Sequence, residues 1–346
     1  MDRRKVGFIV FGLLVIVLLI WWAGIREVLK VVMSARLNYL LLAFLMYLVG
    51  VVLWGLRWRI LLESLDIHAA FRHTINAILI GVFFNNITPG ARGGGEAVRM
   101  YYISKRSDGT YGPVFATVAA DRILDLIPVI TMLFLSTVYV YRLGSRSLTV
   151  ALMILNGLLA FLVIISLVIA LNERRTKKLL YWLLRIARRI MPRTVKKYED
   201  RLITVIETSV PQFQEGLRLL MRNKGAFLLA LLCSFSFWGM VLLRTYFVFM
   251  SINYPTSIDK IMVVTMVSIV VGLVSIVPGG AGLIEAMNSG TYVLLGIDKN
   301  FAVTATLIDR LISYWIPTFL GGVLTTHFGV RVRKEKKSLT GEKGRD

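Results

Sequence analysis

Long apolar stretches separated by short polar segments run through this chain of 346 residues. Six of these stretches approach or exceed the roughly 18 apolar residues that signal a bilayer-spanning helix. Continuous apolar stretches exclude a transmembrane β-barrel, whose strands alternate apolar and polar residues. The pattern therefore predicts an all-α integral membrane protein with about six full spans. The predicted spans are about 6–25, 38–57, 113–141, 148–171, 225–250 and 300–328.

Two further apolar stretches are too short for a full crossing and end at a helix break. Residues 74–88 and 261–277 would extend roughly 22 and 25 Å as helices, less than the roughly 30 Å hydrocarbon core. Each stretch is followed by a Pro-Gly pair, which stops a helix because proline lacks an N–H and glycine is conformationally free. We therefore predict two re-entrant helical hairpins. They cover 74–106 and 261–297, with breaks at Pro89-Gly90 and Pro278-Gly279-Gly280.

The two breaks belong to a longer internal repeat. Both carry the pattern P-G-x-x-G-x-x-E, at 89–96 and 278–285. The glutamate is followed by an Asp-Arg pair 25 residues later in the first half and 24 residues later in the second. We predict one transmembrane domain, 1–328, built from repeat 1 (about 38–171) and repeat 2 (about 225–328). The other shared landmarks are Trp54-Gly55 with Trp238-Gly239, and Pro128 with Pro317.

Positive charge predicts the orientation of the spans. The net charge is +21, and most Lys and Arg residues lie in loops and tails, which the positive-inside rule assigns to the cytoplasm. The basic start (3–5) and the basic tail (329–346) place both termini in the cytoplasm and the protein in the cell membrane. The first hairpin then opens to the cytoplasm and the second to the outside. Such inverted repeats are used by many secondary transporters, whose substrate site lies near the midplane.

The largest polar segment is 172–224, which holds fourteen Lys and Arg against five Asp and Glu. Leucine and aromatic residues are interspersed with these charges, a pattern typical of a helix that lies on an anionic inner leaflet. We therefore predict that the positive charge faces lipid and that there is no nucleic-acid partner.

The sequence contains few groups suited to metal or cofactor chemistry. It has one cysteine and three histidines, at 68, 73 and 327. It contains neither the zinc motif H-E-x-x-H nor the nucleotide motif G-x-x-x-x-G-K-[ST]. We predict no metal, no cofactor and no ATP-driven step.

Charged residues within the apolar stretches are the candidates for function, because an ionisable group is costly at membrane depth. The glutamates after the breaks either bind a proton or headgroup, or form a structural pair with the arginine of the following Asp-Arg span. The arginines suit a lipid phosphate, with snorkelling to the interface as the alternative for the first hairpin. The predicted substrate-binding residues are Arg92, Glu96, Arg99, Asp121, Arg122, Glu285, Asp309 and Arg310.

The residues at the breaks are predicted to shape the backbone. Asn85 and Asn86 are expected to cap or brace the first break. The free N–H groups at the helix starts that follow the breaks favour an anion. The remaining break residues, with an architectural role, are Pro89, Gly90, Pro278, Gly279 and Gly280.

Two segments, TPGARGGGEAVRMYYISK at 88–105 and VPGGAGLIEA at 277–286, carry a family resemblance. With the two Asp-Arg spans, they resemble the flippase-like membrane domain of the lysylphosphatidylglycerol synthase family. The resemblance covers nearly the whole chain, although the first span and 172–224 are generic. It implies movement of polar lipids between leaflets. Full synthases add a soluble aminoacyl-transfer domain, which we expect this chain to lack together with its transferase activity.

We therefore expect a flippase that moves a polar phospholipid or a polyprenyl-phosphate-type lipid by alternating access, rather than an enzyme. Its partner would be a lipid with an anionic or zwitterionic headgroup. The family's links to polyprenyl and dolichyl carriers add a lipid-modifying enzyme or glycosyltransferase as a second class of partner. Two alternatives stay open: an intramembrane enzyme that acts on a lipid carrier, and a membrane scaffold for a glycosyltransferase.

Overall fold

The computed structural model describes residues 14–88, 94–190, 192–275 and 277–339. Within these ranges the regular structure is helical and contains no strand, which confirms the predicted all-α class. The helices are α1 (Leu14–Ala23), α2 (Ile25–Met33), α3 (Leu37–Glu63), α4 (Phe71–Ile87), α5 (Gly94–Ser104), α6 (Tyr111–Arg142), α7 (Arg146–Ala170), α8 (Glu173–Ile190), α9 (Pro192–Arg222), α10 (Lys224–Ser251), α11 (Ile258–Val274), α12 (Leu283–Leu294), α13 (Lys299–Arg310) and α14 (Ile316–Leu339).

Five membrane spans are present among the described residues, each long and apolar enough to cross a bilayer. They confirm the predicted spans, and the largest difference is at α3, which continues to Glu63 rather than ending near residue 57. The last span is a composite, because a π-helical segment, Leu311–Trp315, joins α13 to α14. The first predicted span begins outside the described residues, and its described part is the apolar helix α1.

Each predicted break separates two short helices. Helices α4 and α11 have 17 residues each, which corresponds to roughly 25 Å of helix. Helix α5 follows the first break and α12 follows the second. Pro89, Gly90 and Arg92 lie outside the described residues. The side of the membrane on which each helix pair enters and leaves stays a prediction.

The chain divides into two compact units. Unit 1 comprises Met1–Val49, Ile75–Arg99 and Met240–Asp346, and unit 2 comprises Gly50–Thr74 and Met100–Gly239. Each unit draws residues from both predicted repeats, so this is a different division of the chain, and the repeats stay a prediction.

Unit 1 is held together by aromatic packing and by one close helix contact. The rings of Phe249 and Tyr292 meet edge to face at 5.0 Å, in an apolar core that also includes Ile261 and Ala305. Helix α14 approaches α4 closely at Gly321, where an added side-chain carbon would overlap the backbone of α4. Helices α11 and α12, on either side of the second break, thus lie in the same unit as residues 75–99 around the first break.

Unit 2 is built around α6, against which α7 and α9 pack. Glycine permits the contact with α9, since a side-chain carbon added at Gly216 would lie 2.9 Å from Ala116 Cβ. The segment 172–224 forms the helices α8 and α9, which pack together. Glu207 links them by accepting hydrogen bonds from Lys177, at 2.6 Å, and from Tyr181. The bond from Lys177, supported by Tyr181, lowers the pKa of the Glu207 carboxyl.

Candidate functional site

The second helix break has a backbone that only glycine adopts readily. Gly279 has φ of 59° and Gly282 has φ of 83°, values in the left-handed region that disfavours residues with a side chain. A side-chain carbon at Gly279 would also overlap the ring of Tyr314. These glycines let the chain turn between α11 and α12 and bring the start of α12 against α13.

Glu285 and Arg310 form a buried ion pair at this break. Glu285 Oε1 accepts a hydrogen bond of 2.8 Å from Arg310 Nε, and Oε2 accepts one of 2.7 Å from the Gly282 N–H. Arg310 Nη2 donates to the Gly279 carbonyl at 3.1 Å, and its guanidinium lies 4.0 Å from the Tyr314 ring centroid. The Glu285 carboxylate thus links the start of α12 and the turn before it to α13. The pair of Glu285 with Arg310 is the structural pairing considered in the sequence analysis.

A second ion pair lies one residue away along α13. Arg244 on α10 donates two hydrogen bonds, of 2.8 and 3.0 Å, to the carboxylate of Asp309, and the Thr245 hydroxyl donates a third of 2.9 Å. A bidentate guanidinium–carboxylate pair is both strong and directional. The π-helical segment begins directly after Arg310, and such interruptions are frequent at functional sites.

A small polar cavity adjoins the Arg244–Asp309 pair. Its volume is about 50 Å³, and it is lined by residues of α10, α11, α12 and α13. Most of its lining side chains carry a hydroxyl, amide or charged group, although it lies among apolar helices. Unit 1 therefore contains two ion pairs and a polar cavity within one set of helices.

The first helix break places further predicted residues in unit 1. Asn85 Oδ1 accepts the Gly95 N–H at 2.8 Å, and Asn86 Nδ2 donates to Thr318 Oγ1 at 2.7 Å. Asn85 thus contacts the start of α5 after the break and Asn86 links α4 to α14, and the role of both residues at the break stays a prediction. Glu96 and Arg99 form an ion pair of 3.2 Å, and Arg99 is almost fully buried.

Unit 2 contains a denser charge cluster. Arg57 donates to Asp121 at 2.6 Å and to Asp125 at 2.8 Å. Trp54 Nε1 donates to Asp121 at 3.1 Å, and Arg122 lies 3.6 Å from the same aspartate. Asp121 and Arg57 are buried, with at most 1% of either residue exposed to solvent. Two arginines therefore face two aspartates at the centre of this unit.

The indole of Trp238 and the hydroxyl of Ser234 complete the cluster in unit 2. Trp238 Nε1 donates to Asp125 at 3.1 Å, and Ser234 accepts a bond of 2.5 Å from Arg57. Opposite charges buried in this way offset a desolvation cost of several kcal/mol per ion, and removing one partner leaves the other unpaired. The buried carboxylates named in both units therefore have arginine partners.

Arg57 and Arg244 were not predicted as site residues. Arg57 precedes its aspartate by 64 residues, and Arg244 precedes its aspartate by 65 residues. This near-equal spacing is the signal that would have identified them from the sequence, because it parallels the repeat spacing of the Asp-Arg pairs. The arginines lie on the second and fifth predicted spans, close to the shared Trp-Gly landmarks.

Comparison with known proteins identifies the family. The model of the lysylphosphatidylglycerol synthase transmembrane region matches residues 9–321. The chain is 38% identical to the UPF0104 membrane protein PH1989 of Pyrococcus horikoshii, over 93% of this chain and 96% of the relative. It is 27% identical to a UPF0104 membrane protein of Methanothermobacter thermautotrophicus, over 97% of this chain and 98% of the relative. The chain therefore belongs to the family of the lysylphosphatidylglycerol synthase transmembrane region.

Proposed function

We propose that this protein moves a polar phospholipid or a polyprenyl-phosphate-type lipid between the leaflets of the cell membrane by alternating access. Family membership supports a lipid-related membrane function. The observation that carries the proposal is the buried Glu285–Arg310 pair at a helix break. A charged pair in this position is suited to exchanging one of its partners for a charged ligand.

The exchange chemistry follows from the geometry of the pair. A lipid phosphate competes with Glu285 for Arg310, because a guanidinium binds phosphate and carboxylate oxygens with the same bidentate geometry. Glu285 then keeps the Gly282 N–H as its partner. The headgroup charge is neutralised at membrane depth while the acyl or prenyl chains stay in lipid. Arg310 thus binds the phosphate and Glu285 returns when the lipid leaves.

Alternating access is supported by the two broken helix pairs, α4 with α5 and α11 with α12. Irregular backbone at membrane depth requires cover from protein or water, so each break marks a place where a polar path meets the spans. In this proposal the repeats are inverted and the breaks face opposite sides, with both termini in the cytoplasm. Each break then exposes the headgroup path to one side of the membrane in turn.

A reconstitution experiment tests the proposal. The purified full chain is placed in liposomes that contain a phospholipid labelled on one acyl chain, and a membrane-impermeant quencher reports how much label lies in the outer leaflet. We expect exchange between leaflets at a rate well above that of protein-free liposomes. Glu63→Gln is a charge control that should exchange lipid at the wild-type rate, since Glu63 pairs with Arg59 at the exposed end of α3.

Three outcomes separate the function classes. Exchange of a chemically unchanged lipid supports the flippase. Conversion of the labelled lipid to a product, detected by mass spectrometry, supports the intramembrane enzyme and contradicts the proposal. Absence of both exchange and product in folded wild-type protein, with phospholipid and polyprenyl-phosphate probes alike, also contradicts it and supports the scaffold.

A further inference from the structure

The cavity beside Asp309 has a lining that selects for the charge of its occupant. It is bounded by Arg244 and Asp309 and by side chains of α11, α12 and α13, among them Ser268, Asn288 and Thr306. At about 50 Å³, it holds roughly three water-sized particles, since one water needs on the order of 10–15 Å³ by the same measure. A phospholipid headgroup is too large for it.

Two of the hydroxyl groups that line this cavity have their hydrogens engaged and keep their oxygens as acceptors. Thr265 donates its hydroxyl hydrogen to the Ile261 carbonyl at 2.7 Å, and Thr245 donates its own to Asp309. Asn288 Nδ2 donates to Ser268 Oγ at 3.4 Å. The remaining hydroxyl groups can also offer lone pairs to a cation, because a hydroxyl hydrogen rotates to suit its partner.

Two buried oxygen atoms of the lining lack a hydrogen-bond partner among the described residues. They are Thr306 Oγ1 and Asn288 Oδ1. Thr306 is 3% exposed, and a buried polar atom without a partner carries a desolvation cost. Such a cost is recovered when a ligand binds these oxygens.

The charges beside the cavity form a neutral pair, which limits the charge that an occupant can carry. The guanidinium of Arg244 is engaged by both carboxylate oxygens of Asp309, so its fork is not available to an anion. The pair is neutral overall, which leaves no surplus negative charge for a divalent ion. Hard cations prefer oxygen ligands, and coupled transporters bind Na⁺ at broken helices near the midplane.

We infer that this cavity binds a monovalent hard cation, Na⁺, through Thr306 Oγ1, Asn288 Oδ1, Ser268 Oγ and the Asp309 carboxylate. The site is distinct from transition-metal sites, since no group of three His, Cys, Asp or Glu residues occurs in the described ranges. Asp309 and Arg310 are consecutive residues of α13, so this helix connects the ion site to the Glu285–Arg310 pair. Only this coupling rests on the proposed function; cation binding does not.

Thermal unfolding of the purified full chain tests the site. A ligand that binds only the native state stabilises it by RT ln(1 + [L]/Kd), so Tm keeps rising with the logarithm of the ligand concentration above Kd. We expect Tm to rise in this way with NaCl, relative to choline chloride at the same ionic strength, and a fit of the rise gives Kd, the half-saturating Na⁺ concentration. Thr306→Val removes the hydroxyl and keeps the shape, and we expect it to raise the half-saturating Na⁺ concentration by at least about tenfold.

Thr304→Val is the matched control on the same helix. Thr304 is fully buried, donates its hydroxyl to the Asn300 carbonyl and does not line the cavity. We expect its half-saturating Na⁺ concentration to equal that of the wild type. If Thr306→Val does not fold, Asn288→Leu takes its place with the same expectation.

Two results overturn the inference. One is a Tm that is the same in NaCl and choline chloride at every concentration. The other is an equal Na⁺ response in Thr304→Val and in the cavity variant. A saturable Na⁺ response together with no lipid exchange leaves the cation site standing and contradicts the proposed function, so the two failures are distinguishable.

Discussion

Units 1 and 2 each bury an arginine–aspartate pair, but they surround it with different chemistry. In unit 1 the charges form separate pairs, Arg244 with Asp309 and Arg310 with Glu285, beside a polar cavity. In unit 2, Arg57 bridges two aspartates in one network that also takes two tryptophan N–H groups and a serine hydroxyl. In unit 1 each ion pair has one or two further hydrogen-bond partners. In unit 2 the central arginine, Arg57, donates hydrogen bonds to two aspartates and a serine.

This difference separates a cluster suited to partner exchange from one suited to stability. Burial does not distinguish the two, because Arg57 and Asp121 are sealed from solvent and the Arg310 and Glu285 side chains are only 9% and 1% exposed; the difference lies in how the charges are shared. A separate pair loses one ion pair when a ligand replaces one member. In a network that shares one arginine between two carboxylates, replacement of that arginine deprives both carboxylates of their shared partner. We therefore assign ligand exchange to unit 1 and structural support to unit 2.

Removal of the shared arginine in unit 2 is the change with the largest expected effect on stability. Arg57→Leu leaves Asp121 and Asp125 buried without their common partner, which should cost about 3–5 kcal/mol. We expect a low yield of folded protein and a strongly reduced Tm. Exchange per folded molecule should stay within about twofold of wild type. A fold that tolerates Arg57→Leu while losing exchange would reverse the assignment of the two units.

Separation of the unit 1 pair should have its largest effect on lipid exchange. We expect Arg310→Lys, which keeps the charge but loses the fork, to reduce the exchange rate by at least about tenfold. The double variant Glu285→Leu, Arg310→Leu removes both charges, which is often neutral for stability. We expect it to keep a Tm close to that of the wild type and to lose exchange. Wild-type exchange in the double variant would show that the pair is structural.

Single hydroxyl groups provide a gentler test of the same contrast. Thr245→Val removes one hydrogen bond to Asp309, and Ser234→Ala removes one from Arg57. Each should cost about 1–2 kcal/mol of stability. We expect Thr245→Val to change the exchange rate as well, and Ser234→Ala to change Tm alone. Equal effects of the two variants on exchange would remove the functional distinction between the units.

The smallest expected effect lies outside both clusters, between α8 and α9. Glu207→Gln removes the exposed contacts with Lys177 and Tyr181. Because the pKa of Glu207 is lowered from its ordinary value of 4.5, its contribution is present above that value and is lost as the pH falls through the folded-state pKa. We expect a small Tm difference from wild type at neutral pH that disappears in acid. A difference that persists in acid would contradict an ionic origin.

The membrane spans and breaks were predictable from the sequence because their causes are local. Every backbone polar group in a bilayer needs a partner within its own helix, so an apolar run of sufficient length becomes a helix. The Pro-Gly pairs interrupt helices by their own conformational limits. The Asn85 contact has the same local cause, since a short polar side chain beside a break binds a free backbone N–H. The bond from Asn86 to Thr318 is a tertiary contact.

The sequence suggested the Glu285–Arg310 pair, and the tertiary structure decided which arginines meet Asp121 and Asp309. The partners of Asp121 and Asp309 lie 64 and 65 residues away, and no local propensity links residues at that distance. The same holds for the cavity, whose lining comes from four helices, and for the π-helical segment after Arg310. The sequence by itself determined the helices, their ends and the supply of buried charge. Packing determined how that charge is paired. An ion buried in the membrane needs a partner of opposite charge, and only the folded chain brings such partners together.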